Sequence, residues 1–351
     1  MSQKMMNPNS SAIQWLRHSK DPSIRYFTLT ELVQEPEDLE EVKSAKAEIS
    51  ESPKVQNLLR GQEADGGFGV HAYTKWTGAH WRLVSVVELG VSSNNKIVRK
   101  AVESVLAWIA TRAQPPKIEG LWRAHASIDG NVLGVCSRLG LARDSRVQQI
   151  CDRLIEWQWP DGGWNCDSNK NATHSSFYES LATLWGLNEY SRATKDKEAR
   201  NSVRKASEFF LRHHLFKSCS TGKVINPEWL KLHYPLYWHY DILQSLRVIQ
   251  LAGRLGDSRT KQALDILESK RLKDGRWRPS GYYWFPSRRA VDGKRVYAEV
   301  VDWGRNGPNE MISLNALRVL KGGTRFTAWT EEFPQKYSET RSLARTKMFD
   351  I

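Results

Sequence analysis

Four short segments place an imidazole beside a carboxylate or at the head of an apolar run. They are TGAHW with His80, HASID with His125 and Asp129, HSSFYES with His174 and Glu179, and WHYD with His239 and Asp241. A fifth, GPNEM, carries Asn309 and Glu310. Imidazoles and buried carboxylates are the groups that environment tunes towards neutral pH, so a set sharing one wall would serve acid–base chemistry. On that reading Asp129, Glu179, Asp241 and Glu310 are candidate acids or bases, and His174 and His239 their partners. Nitrogen and carboxylate oxygen also bind divalent metals. Cys166, in WNCDSNKNATH, adds a thiolate, which makes Cys166, His174 and Asp241 a candidate Zn or Mg ligand set. Each residue has a structural reading as well. A histidine near a helix start is often simply a satisfied polar group, Asp129 suits an N-cap, and Asn309 with Glu310 can cap its own helix.

Aromatic rings crowd the same places. Trp81, Trp122, Trp164, Tyr178 and Trp238 flank these segments, in a chain with 15 tryptophans. Most such rings serve core packing. Those beside the helix starts can wall a pocket, where their faces attract cations or stack on sugars. With His80, His125 and Asn309 they form the candidate substrate wall. Arg305, like Arg82, Arg123, Arg276 and Arg278, is placed to clamp a diphosphate or a carboxylate. The basic, aromatic stretch 276–295 reads as a lid or anion-binding flap.

Segments so far apart in sequence meet only if a repeat brings them together. Gly- and Trp-rich turns do recur: GQEADGGFG at 61–69, KIEGLWRAH at 117–125, QWPDGGWNCD at 158–167 and LKDGRWRPSG at 272–281, with a weaker relative at 226–234. Their spacing is a multiple of about 50 residues, the mark of stacked or closed supersecondary units. An apolar helical stretch follows each turn, over 78–90, 129–140, 174–190, 237–253 and 308–320. A charged stretch with one apolar face comes next, over 95–113, 144–159, 196–215 and 257–272. Apolar helices inside and one-faced helices outside make two layers. The expected fold is therefore all-α: five to six helical hairpins closing into an α/α toroid, with an open solenoid as the alternative. The five polar helix starts would then converge on one cavity. Residues 1–54 read as a HEAT-like helical extension, 55–321 as the toroid and 322–351 as a tail. The main strand candidate is 294–303.

The turn Gln-x-x-Asp-Gly-Gly-Phe/Trp resembles the repeat motif of the squalene–hopene cyclase and protein prenyltransferase β-subunit superfamily. Gln62, Asp65, Gly66, Gly67 and Phe68 match it in one copy, and Gln158, Asp161, Gly162, Gly163 and Trp164 in a second. Asp274, Gly275 and Trp277 give a partial third. The resemblance covers about residues 55–320. It implies an α/α toroid and an isoprenoid or similarly apolar substrate. It does not carry over the family's catalytic groups. Of an Asp-x-Asp-Asp alkene-protonating cluster only Asp129 stands at the corresponding place, and the Asp-x-Cys of the prenyltransferase zinc site does not occur.

The formal net charge of +13 favours anionic partners such as phosphates, polyuronates, nucleic acid or an anionic membrane surface. No nucleic-acid-binding motif accompanies it. Four scattered cysteines are neither a disulfide framework nor a zinc ribbon. The N-terminus lacks a signal-peptide core, and no apolar run is long enough to span a bilayer, so a cytoplasmic setting is expected, with peripheral membrane contact left open. The function expected is a divergent cyclase- or prenyltransferase-like enzyme with a polar cavity acting on a small apolar or anionic molecule. A polysaccharide lyase or glycosidase on the same toroid, or a non-catalytic scaffold, are the alternatives.

Overall fold

A computed structural model describes residues 8–284 and 299–325. Half of the expected flap, half of the strand candidate over 294–303 and nearly all of the tail over 322–351 lie outside those residues, and 299–303, the described half of the candidate, forms no strand.

The protein is all-α. In chain order its helices are α1 (Pro8–Arg17), α2 (Pro22–Phe27), α3 (Glu40–Glu48), α4 (Pro53–Leu59), α5 (Ala79–Glu88), α6 (Lys96–Ala110), α7 (Ala126–Arg138), α8 (Ser145–Glu156), α9 (Phe177–Thr194), α10 (Lys197–Arg212), α11 (Ile242–Leu251), α12 (Lys261–Ser269) and α13 (Glu310–Gly322). A π-helical turn, Thr28–Val33, prolongs α2. Among the described residues one small sheet occurs, an antiparallel ribbon of β1 (Lys117–Ile118) and β2 (Leu121–Trp122).

Two kinds of helix alternate from α5 onward. All of α7 from Ala126 to Ser137 is buried, and α13 is buried from Met311 to Leu320. In α8 only Val147, Ile150, Cys151 and Leu154 are buried, a single stripe at helical spacing. Polar side chains start both kinds. Asn95, Asp144 and Asp196 cap the one-faced α6, α8 and α10, and Ser176, Asp241 and Asn309 cap the buried α9, α11 and α13. The buried helices touch in chain order: α5 on α7, α7 on α9, α9 on α11, α11 on α13. The N-terminal helices meet both ends of this row. α1, α2 and the π-helical turn lie against α13, and α4 lies against α5. Arg318 of α13 forms an ion pair with Glu31 at 2.8 Å, and Lys321 donates to the Glu31 and Leu32 carbonyls.

The closest contact is between α7 and α9. A Cβ on Gly186 would lie 2.0 Å from the Gly130 carbonyl oxygen, so the two backbones touch where only glycine fits.

The three repeated turns share their closing backbone bond and their Asp cap. Trp159 donates to the Gly163 carbonyl and Leu272 to that of Arg276, at 2.8 Å each, and Glu63 to that of Gly67 at 2.9 Å. The Asp of each copy, Asp65, Asp161 or Asp274, accepts from the amide two residues on. Gln62 and Gln158 tie the turn to the carbonyl of Ile97 on α6 and of Ser202 on α10. The Trp indoles reach back to the preceding one-faced helix, Trp164 to the Leu154 carbonyl and Trp277 to that of Leu267. Their amides reach forward to Ser180 and Ser313 on the next buried helix. The second turn thus bolts α8, α9 and α10 together and the third ties α12 to α13, and that role accounts for their residues without chemistry.

Candidate functional site

Two places gather functional side chains. The first lies where the chain enters α7 and α9. His125 stands at the N-cap of α7, and Glu179 lies in the first turn of α9. Cys166 lies in the loop that leaves the second repeated turn. That loop is held by a bridge between Trp164 and Ser176 and another between Arg123 and Asn165. The Asn165 amide side chain also donates to the His174 carbonyl at 2.8 Å. His125 Nδ1 comes to 3.4 Å from Glu179 Oε1, and Glu179 Oε2 accepts from the Ser127 amide at 2.9 Å. One ligand atom each of His125, Cys166 and Glu179 lies within 4.8 Å of the others.

The electrostatics of the three are coupled. Burial favours a neutral Glu179, but hydrogen bonds from His125 and Ser127 outweigh it and hold the carboxyl below its ordinary range. Its hydrogen bond in turn raises His125. Burial pushes the Cys166 thiol up to about 12, and the neighbouring Glu179 carboxylate reinforces the shift. His125 and Cys166 open onto a cleft of about 500 Å³ that Arg112, Arg123, Asp129 and Arg153 also line. Asp129 is fully buried and pairs with both Arg112 and Arg153. The Arg123 guanidinium lies 4.7 Å above the Trp159 ring.

The second place is a chamber of about 380 Å³ lined by the π-helical turn, α5, α7, α9, α11 and α13, with segment 233–239. Towards the N-terminal ends of α9 and α11 it is aromatic: Tyr178, Tyr237, Trp238 and His239. His239 is sandwiched between Trp238 and Tyr283, with centroids at 4.3 and 3.4 Å. Burial lowers its pKa to about 4, so the ring is neutral at physiological pH. Towards the C-terminal ends the lining is charged: Glu31, Glu88, Arg138, Arg192, Arg247 and Arg318. Arg318 is held by Glu31 and Asn315, and Arg138 by Glu189. Arg247 hydrogen-bonds Gln250 at 3.2 Å and makes no ion pair among the described residues; burial lowers its pKa to about 9. Glu88 accepts from the Tyr234 hydroxyl at 3.3 Å, and burial raises its pKa.

The remaining residues expected from sequence are distributed otherwise. Of the candidate set, Tyr178, Trp238, His239 and Asp241 line the chamber. The Asp241 carboxylate accepts from the Gln244 amide, as the cap of α11, and from the His233 amide. His174 is exposed beside Thr173, outside the three-residue cluster. His80 is buried in an aromatic cage of Tyr73, Trp81 and Trp108, and burial lowers its pKa to about 3. Trp81 packs edge-on to Trp76, and Trp164 is a fully buried member of its turn. Trp122 lies in β2, where its carbonyl accepts from the Trp159 indole. Asn309 caps α13, and half-buried Glu310 follows it in the first turn. The Arg305 guanidinium lies 4.4 Å above Tyr282. The five helix starts therefore divide between separate environments. Most of them are fully used in capping or packing.

Sequence reading missed Glu31, Glu88, Arg138, Arg247 and Arg318. Their one signal was a charge set inside an otherwise apolar helical run, as in VVELG or LRVL. A charge inside a buried helix needs a partner or a polar cavity.

No family model matches this chain, and no curated protein matches it significantly. No described helix is long and apolar enough to cross a membrane.

Proposed function

We propose that the chain is an α/α toroid of the cyclase and prenyltransferase type. Its central chamber would take a small molecule with an apolar body and an anionic end, and act on it by acid–base chemistry. The observation that carries this reading is the chamber itself. The buried helices of successive repeats and the N-terminal π-helical turn all line it, with rings at one end and arginines at the other. An N-terminal segment lying against both α13 and α5 is what a closed ring of hairpins would need. Aromatic walls suit an isoprenoid or similar body and stabilise positive charge developing on it. Arg247, with no carboxylate paired to it among the described residues, suits a carboxylate or phosphate. Glu88 is the acid this chamber offers, since burial keeps its proton on at higher pH than in water.

The test is incubation with squalene, isoprenoid alcohols and isoprenoid diphosphates, read by mass spectrometry. Product that disappears in Glu88→Gln, with ligand binding weakened in Arg247→Met, is the expected result. Neither turnover nor binding of any of them would remove the reading. A second reading, binding without chemistry, is favoured by the dispersal of the histidines and carboxylates. It predicts saturable binding that Arg247→Met weakens, with the ligand recovered unchanged.

A further inference from the structure

We propose that His125, Cys166 and Glu179 form a zinc site with one open coordination position, at the edge of the arginine-lined cleft and apart from the central chamber. It does not rest on the reading of the chamber. Three elements supply the donors: the N-cap of α7, the loop after the second turn and the first turn of α9. A tetrahedral zinc with Zn–N and Zn–O bonds of about 2.0 Å has an N···O edge of about 3.3 Å. The His125 Nδ1 to Glu179 Oε1 separation of 3.4 Å already matches it. Cys166 Sγ lies within 4.8 Å of a ligand atom of each of the other two residues, so closing the site takes a shift on the order of 1 Å in one loop residue.

The surroundings are those of a ligand set. Glu179 offers one oxygen to the site, while the Ser127 amide fixes the other and orients the carboxylate. Zinc binding displaces the thiol proton and leaves two anionic donors and one neutral imidazole around a dication. The mixed N, S and O donors select zinc over magnesium, which takes oxygen ligands. Neither the donors nor their order along the chain follow an Asp-x-Cys pattern. Three protein ligands leave a fourth position, and since His125 and Cys166 line the cleft, water or an anionic oxygen would fill it from there.

The experiment is metal analysis of full-length protein purified without chelator, then loaded with equimolar zinc and dialysed. About one zinc per chain is expected, falling to below about 0.1 in both His125→Ala and Cys166→Ser, since three-ligand sites do not survive loss of one. Cobalt loading should give a thiolate charge-transfer band that Cys166→Ser abolishes while far-ultraviolet circular dichroism stays helical. Cys219→Ser is the control, because Cys219 lies 3.3 Å from His213 Nδ1 on the surface and is the other Cys–His pair among the described residues. Zinc absent from the loaded wild type, retained in both site variants, or lost with Cys219→Ser would each overturn the assignment.

Discussion

His125 and Glu179 lie 54 residues apart in sequence and meet at 3.4 Å, where the starts of α7 and α9 are side by side. The contact is possible because Gly130 and Gly186 let those two helices approach to backbone contact further along.

In the metal-free protein this pair should be energetically coupled. His125→Ala leaves the buried Glu179 carboxylate with the Ser127 amide, and should cost on the order of 1 kcal/mol, since His125 is largely exposed. Glu179→Gln should cost about 1–2 kcal/mol through its weakened bonds to His125 and Ser127. Urea unfolding of the double variant in the presence of chelator should show less than the sum. Strict additivity would mean that the pair does not interact.

Asp129 is structural in this arrangement. Asp129→Asn strands Arg112 and Arg153 and should destabilise the protein by about 2–3 kcal/mol. That is less than the loss of a partner in a fully buried pair, because both arginines keep about a quarter of their exposure. Unchanged thermal unfolding would contradict this role.

His80 makes the fold acid-sensitive. Its imidazole is fully buried and its pKa is depressed from 6.5 to about 3, so between those values the unfolded chain binds a proton that the folded one does not. The contribution is therefore complete above pH 6.5 and lost as pH falls, by about 1.4 kcal/mol per pH unit at most. Denaturant unfolding from pH 7 to 4 should show this slope, and His80→Phe should flatten it. Equal slopes for the two proteins would rule out His80 as its source.

The contact between α7 and α9 tolerates no side chain. Gly186→Ala drives a methyl group into the Gly130 carbonyl and should cost more than about 3 kcal/mol or prevent folding. Gly256→Ala, where a Cβ meets nothing within 4 Å, should fall within about 0.5 kcal/mol of wild type. Similar thermal midpoints for the two would show that the close approach is not needed.

The elements were legible in the chain because they obey local rules. The 3.6-residue stripe on Val147, Ile150, Cys151 and Leu154, and the caps at Asn95, Asp144 and Asp196, are readable from neighbours alone. The repeated Asp-Gly turns were equally plain, and each copy is closed by the same backbone bond and the same Asp cap. The site was legible only as a list. His125, Cys166 and Glu179 were all among the candidates, but their grouping was not, and Cys166 was set with His174 and Asp241. Sequence gives residue types and helix starts. It does not give the azimuth at which one helix meets another, and that angle decides whether a polar residue faces a partner, a cavity or solvent. Close packing of α7 on α9 turned His125 towards Glu179. The need to satisfy backbone amides drew Asp241 and Asn309 into caps. Glu88 and Arg247, inconspicuous in apolar helices, became chamber residues because five helices and a π-helical turn happen to surround them. Composition and periodicity settled an all-α protein with repeated turns. Only tertiary packing decided which of its charges share a space.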